Sequence, residues 1–282
     1  MAQRRVIVNA DDLGLCPSVN TAIYTAFRAG NLSSATLMVN MPGTADAAAR
    51  SSEAPGLAIG LHFCLTEGAS LTGPSSLTDA EGNFRDRSTL VRRVAQGRID
   101  AGDVHLELEA QLARMRGFGI RPSHVDSHQH VHMVPPIFAA MLQVLHREDL
   151  PVRIVDPPEG AVARAISRPR KAIKQWMNAR FARIDRARFR GRSNDVLVSV
   201  HDLGSPGPYD RSTYRELITA TLPDQVVELM VHPYIMGEDV RDLYAAVWDS
   251  KGPFIDRCLA EYEVLSGPPV FEGMKLITPG ER

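Results

Sequence analysis

Short apolar runs, continuous and not alternating, are separated by longer stretches of helical periodicity from one end of the chain to the other. Nothing else in the sequence limits the fold so tightly. The runs cover residues 5–9, 35–40, 57–63, 123–127, 152–155, 196–200, 226–231 and, most weakly, 274–277. A strand that is apolar at every position must be covered on both faces, as in a parallel sheet wrapped by its crossover helices. The segments 18–29, 44–52, 101–118, 135–146, 169–187, 211–220 and 253–265 carry helical spacing, with Gly30 and the Gly117/Gly119 pair as stops. Seven or eight such βα units in 282 residues predict an α/β fold: a (β/α) barrel-like single domain over 1–282, or a large open parallel sheet. Residues 66–87 form a long turn-rich loop, a kind of segment that often carries function.

Composition narrows the class. With 44% hydrophobic and 23% charged residues the chain is neither disordered nor collagen-like, and no apolar run approaches the length of a membrane span. The apolar stretch near the N-terminus is too short for a signal-peptide core. Cys16, Cys64 and Cys258 are odd in number and include no CxxC, so a reduced, cytoplasmic protein is expected. Net charge is −1, but it is unevenly spread. Residues 164–192 hold eleven Arg or Lys against Asp185 alone, a net of +10, which leaves −11 on the rest. Within this basic segment Ile173, Trp176, Met177, Phe181 and Ile184 recur at spacings of three and four, which suits a helix with one apolar face. Three uses follow: a barrel helix with a solvated basic face, a peripheral contact with an anionic membrane surface, or a homodimer contact. Nucleic acid is not an expected partner, because the remainder is acidic and carries no recognised binding motif.

Four polar clusters each follow directly on an apolar run: Asn9-Ala10-Asp11-Asp12, Gly60-Leu61-His62, Asp126-Ser127-His128-Gln129-His130-Val131-His132, and Val231-His232-Pro233. Taken singly, the aspartates could cap a helix, His62 could be a core histidine and His232 a strand terminator. In a parallel barrel, however, all these strand ends open on one face, where active sites are built. The Asp126–His132 cluster is the most telling, since alternating histidines on an extended segment would project to one side. Two imidazoles and a carboxylate make a common three-ligand set for a catalytic divalent ion. Such an ion polarises a carbonyl and acidifies water, a nearby carboxylate accepts the proton, and an imidazole protonates the leaving group. Metal-assisted hydrolysis is therefore the reading of the residues, with the bond left open.

NADD at 9–12, GLH at 60–62, DSHQH at 126–130 and VHP at 231–233, in that order, resemble the YdjC-like carbohydrate deacetylase family, which includes chitooligosaccharide deacetylases and hopanoid-associated deacetylases. The likeness continues through LGLCPSVNTAIYTA at 13–26 and reaches the helix around Asp256. It implies a barrel-like fold related to polysaccharide deacetylases. It also implies Asp12, His62 and His128 as metal ligands, Asp11 as general base and His232 as general acid for the departing amine. The substrate would be an N-acetylated sugar, on an oligosaccharide or a lipid, losing acetate. The family's metal is magnesium (Mg2+), while a histidine-rich set suits zinc (Zn2+) or another transition ion equally. Asp126 is expected to hydrogen-bond and orient His128. His130 and His132 are expected to face substrate or begin the following loop, and His201 to line the pocket or end a strand at the surface. Cys64 is not needed as a ligand. Two alternatives stand beside the deacetylase: a metallophosphoesterase, opposed by the lack of an obvious second ligand set, and a non-catalytic sugar-binding sensor, opposed by the full complement of aspartates and histidines.

Overall fold

The computed structural model describes residues 3–203 and 209–281. In chain order the elements are β1 (Arg5–Leu13), α1 (Pro17–Arg28), β2 (Ser34–Leu37), α2 (Thr44–Arg50), β3 (Ala58–Phe63), α3 (Arg87–Ala95), α4 (Ala101–Gly117), β4 (Val125–Ser127), α5 (Pro135–Arg147), α6 (Ala161–Arg164), α7 (Pro169–Arg188), β5 (Val196–Val198), α8 (Arg211–Thr219), β6 (Val227–Val231), α9 (Glu238–Tyr244), α10 (Trp248–Leu265) and β7 (Lys275–Leu276). The strands form one parallel sheet in the order β4-β3-β2-β1-β6-β5, with the two-residue β7 beside β1. As continuous apolar runs require, β1 is buried from Val6 onward and β6 throughout. Proline opens α1 and α5 at positions where its missing N–H has no helical partner to lose. Side-chain caps from Asp86, Asp100 and Asp210 open α3, α4 and α8.

The 152–155 run is not a ladder strand, yet it brings the two edges of the sheet together. Val125 donates its N–H to Pro151 O and Arg153 donates to Val125 O, which ties the segment to β4. Toward β5 the backbone is satisfied by a side chain: Ile154 N–H donates to Asn194 Oδ1, and Asn194 Nδ2 donates back to Ile154 O. Leu197 N–H donates to Asp156 O beyond it. An asparagine thus replaces the backbone partners that would have made this run a regular strand, and the curled sheet becomes barrel-like.

Other boundaries also differ from expectation. The last long helix begins at Trp248, five residues before the expected start, and carries Pro253 inside it. Helices α3, α6 and α9 were not expected, and all are short. The expected apolar face of the basic segment packs only in part: Phe181 lies against the core and Ile184 is half-buried, but the N-terminal half of the face is left out. In α7 the buried residues are Gln175, Ala182 and Asp185, while Ile173, Trp176 and Met177 are exposed. The long 66–87 loop is anchored on α4: Glu107, fully buried, accepts from Ser70 Oγ, Leu71 N, Thr72 N and Thr72 Oγ1, and Asp103 accepts from Ser76 N.

Candidate functional site

The C-terminal ends of the strands converge as parallel topology demands. Between Ala10 and Leu13 the β1–β2 register slips, so that Asp11 and Asp12 together stand opposite Thr36. Bulges of this kind re-aim side chains next to functional sites, and Asp12 takes a left-handed φ of 66° in doing so. The register of β3 on β4 sets His62 directly beside Asp126, and that of β6 on β1, ending at Ala10 opposite Val231, brings His232 alongside Asp11. Gly60 leaves room for the neighbouring His124, whose ring would lie 2.5 Å from any Cβ placed there.

Asp12, His62 and His128 meet at one point, with one ligand atom from each within 4.8 Å of the others. Asp12 Oδ1 lies 3.0 Å from His128 Nδ1 and 3.3 Å from His62 Nε2, and Tyr234 donates its hydroxyl proton to Asp12 Oδ2 at 2.7 Å. The other nitrogen of His62 is held by Asp126 at 2.6 Å, so its Nε2 faces Asp12. Asp126 therefore orients His62 and not His128, because β-register and not sequence proximity decides which imidazole it reaches. His128 instead has Glu67 Oε2, from the long loop, 3.0 Å from its Nε2.

Burial of these charges is offset by their pairing. Burial tends to raise the Asp12 pKa, but the His128 charge and the hydrogen bonds from His128 and His62 hold it well below the usual carboxylate range. Burial opposes a charge on His62, yet Asp126 and Asp12 outweigh it and lift the imidazole to about 9. His128 is raised in the same way, against its burial, by Asp12 and Glu67.

Asp11 points to the other side of the bulge. Arg153 donates to both of its oxygens, at 2.6 and 2.7 Å, and Asn9 Nδ2 donates to Oδ1 at 2.9 Å. Burial works against ionisation here, but the guanidinium holds the carboxyl below its ordinary value. The same arginine, fully buried, also contacts Asp126 at 2.7 Å and Glu228 at 2.6 Å. His232 Nε2 lies 3.9 Å from Asp11 Oδ2. Burial, reinforced by neighbouring His201, lowers the His232 pKa.

A second group of possible ligands, His201, His232 and Glu261, sits beside the first, so the expectation that no second set exists is corrected. Some of its atoms are already engaged, while His232 Nδ1 and Glu261 Oε1 are buried without a hydrogen-bond partner among the described residues. Glu261 Oε2 accepts from the His232 backbone N–H at 2.7 Å and from His201 Nε2 at 3.0 Å, while Arg257 donates to His201 Nδ1 at 3.3 Å. The cluster fixes His232 and its loop as a hydrogen-bonded unit.

The alternating histidines do not share one side. Residues 128–133 wind into a 3-10 turn, with Gln129 and His130 both at left-handed φ, and the hydroxyl of Ser127 accepts the His132 N–H at 3.0 Å. His132 turns into the core and bonds Arg153 O at 2.9 Å. His130 faces the cavity, its Nδ1 buried without a partner. Cys64 does not line the cavity, and its thiol donates to the backbone oxygen of Glu67. The cavity, about 290 Å³, exposes Asp11, Asp12, His62, His128 and His232 to a mouth bordered by Lys174, Lys251 and Arg257.

Sequence reasoning missed Arg153, Glu228, Glu67 and Tyr234. The first two had a signal: a charge inside an otherwise apolar, doubly covered run (VRIV, VELMV) has to find a buried partner. Glu67 and Tyr234 had none beyond lying in loops at the right strand ends.

A curled parallel sheet with carboxylates and imidazoles gathered at its C-terminal edge defines a (β/α) barrel-type protein with a candidate cation-binding centre. The chain belongs to the YdjC-like protein family, whose profile matches residues 5–275. Chitooligosaccharide deacetylases of Yersinia pestis (strain Pestoides F) and Yersinia pseudotuberculosis (serotype O:3, strain YPIII) are each 39% identical to it over 180 residues, 64% of this chain and 70% of theirs. A solved structure from Enterococcus faecalis V583, described as a cellobiose-phosphate cleavage protein, superposes with a TM-score of 0.72 over 98% of both chains at 22% identity, a likeness of fold alone.

Proposed function

We propose that this protein is a metal-dependent carbohydrate deacetylase that hydrolyses the N-acetyl group of an amino sugar and releases acetate. The observation that carries the reading is the meeting of Asp12, His62 and His128 beside Asp11 and His232 at the floor of one cavity, in a chain similar to proteins named chitooligosaccharide deacetylases. One carboxylate oxygen and two imidazole nitrogens are a fitting donor set for a divalent cation. Asp126 on His62 Nδ1 supplies the supporting hydrogen bond that ligating imidazoles usually have. Magnesium prefers an all-oxygen shell, so these donors suit zinc or a related ion at least as well. Because both imidazoles hold protons strongly, a cation binding there competes with protons.

A bound cation supplies Lewis acidity toward the acetyl carbonyl and toward water. The remaining work falls to this chain's residues. Asp11, kept ionised by Arg153, accepts the proton of the attacking water. Its Oδ2 lies 3.9 Å from His232 Nε2, which gives that proton a short route to the amine as the C–N bond breaks. His201, Glu261 and Arg257 hold His232 in place for the transfer. His130 borders the cavity and contacts the sugar.

The test is acetate release from N-acetylglucosamine oligomers and from a lipid-linked N-acetylglucosamine, using metal-stripped protein with magnesium, zinc or no ion restored. Ion-dependent release is expected, falling by at least about a hundredfold in Asp11→Asn while cation binding survives. No acetate from any acetylated sugar, with the cation bound, would overturn the reading.

A further inference from the structure

The face that α7 fails to bury is an exposed apolar ridge set in a cationic field. Ile173, Trp176 and Met177 fall one turn apart on one side of the helix and are 58%, 55% and 37% exposed, and Ile166 just before it is 79% exposed. Ala182 and Phe181 serve the core from this helix, whereas these residues lie outside it and form a separate apolar patch. Around the ridge stand Arg164, Arg168, Arg170, Lys174, Arg180 and Arg183, all exposed. Among the described residues, Arg170 and Arg180 have no carboxylate partner, and Lys174 pairs with Asp202 at 3.2 Å.

This ridge adjoins the mouth of the cavity. Lys174 borders the catalytic pocket, and together with Arg170, Ile173 and Met177 it also borders a second cavity, about 410 Å³, that shares Gln129 and His130 with the first. Across the mouth Lys251 follows Trp248, which is 39% exposed, by one turn.

We infer that this face docks on an anionic lipid bilayer, with Ile173, Trp176 and Met177 inserting at the headgroup–acyl boundary and the surrounding arginines and lysines on the lipid phosphates. Apolar side chains ringed by cations match such a surface in both respects. A nucleic acid offers the charge but no apolar phase, and a second copy of the same face would set these six cations against six more. Docking in this way turns the cavity toward the bilayer, so an acetylated sugar is taken from a carrier anchored there; only this corollary rests on the deacetylase reading.

The experiment needs no substrate, so its failure and that of the deacetylase reading are separable. Vesicles of phosphatidylcholine with and without phosphatidylglycerol are mixed with the full chain, and the bound fraction is read by flotation at low and high salt. A Trp248→Phe variant leaves Trp176 as the sole tryptophan for fluorescence. Expected are partition onto the anionic vesicles only, reversal by salt, and a blue shift of Trp176 emission. Arg180→Glu/Arg183→Glu should lower partition by about fivefold or more per charge removed, and Ile173→Ser/Trp176→Ala should abolish it with unchanged thermal unfolding. Equal binding to neutral vesicles, no binding to anionic ones, or a Trp176 emission that does not move would overturn the inference. So would tighter binding of a DNA duplex through the same arginines, or a dimer in sedimentation equilibrium that the Ile173→Ser/Trp176→Ala variant dissociates.

Discussion

Replacing Arg153 with methionine removes the one cation that Asp11, Asp126 and Glu228 share. Breaking a buried ion pair by deleting one partner costs about 3–5 kcal/mol, because a charge is left in a low-dielectric interior. Here the three losses are unequal. Asp11 keeps the hydrogen bond from Asn9, and Asp126 keeps His62 and Thr36. Glu228 has no other cation beside it among the described residues, and burial already lifts it to about 7 with the arginine present. It should protonate outright in the variant, which limits its share. A total near the lower end, about 3 kcal/mol, is therefore expected around pH 7.5. The sign of the pH dependence follows. In the wild type the lowered pKa of Asp11 and Asp126 adds stability above the unfolded carboxylate range. In Arg153→Met the same groups are raised, so folding takes up protons and stability falls as pH rises. The deficit should shrink markedly near pH 5.5. Urea unfolding of both proteins at the two pH values measures it. A deficit below about 1 kcal/mol at the higher pH, or one that is the same at both, would refute the buried-charge argument.

Two further outcomes are expected. Asp185 is buried on α7 with neither carboxylate oxygen partnered, and burial, only partly countered by Arg188, raises it to about 7. The contribution of Asp185 to stability should then decline as pH climbs from about 4 through 7, and Asp185→Asn should gain on the wild type over that range and be at least about 1 kcal/mol more stable near pH 8; parallel thermal-unfolding profiles would contradict this. Glu107→Leu should release the 66–87 loop, raising protease cleavage within it about tenfold or more while the rest of the fold persists; unchanged cleavage would mean that the loop is held by other contacts.

The sequence determined the frame. Continuous apolar runs required covered parallel strands, and parallel strands required that Asp11, Asp12, His62, His128 and His232 come out at one edge. Local order followed as well, since the prolines of α1 and α5 fix where those helices start. Tertiary structure decided whatever depends on which strand lies next to which. It gave Asp126 to His62 through the β3–β4 register, brought Glu67 across from the long loop to His128, and joined Arg153 to carboxylates on three strands. Those contacts span tens to hundreds of residues, and no local pattern encodes the distance between two side chains on different strands. The apolar face of α7 makes the same point from the opposite side. Helical periodicity predicts that such a face exists, but only the packing of the barrel reveals that Gln175 and Asp185 turn inward and Ile173 and Trp176 turn out. Periodicity fixes the angle between side chains on a helix, whereas which side meets the core is set by the surfaces available to cover it.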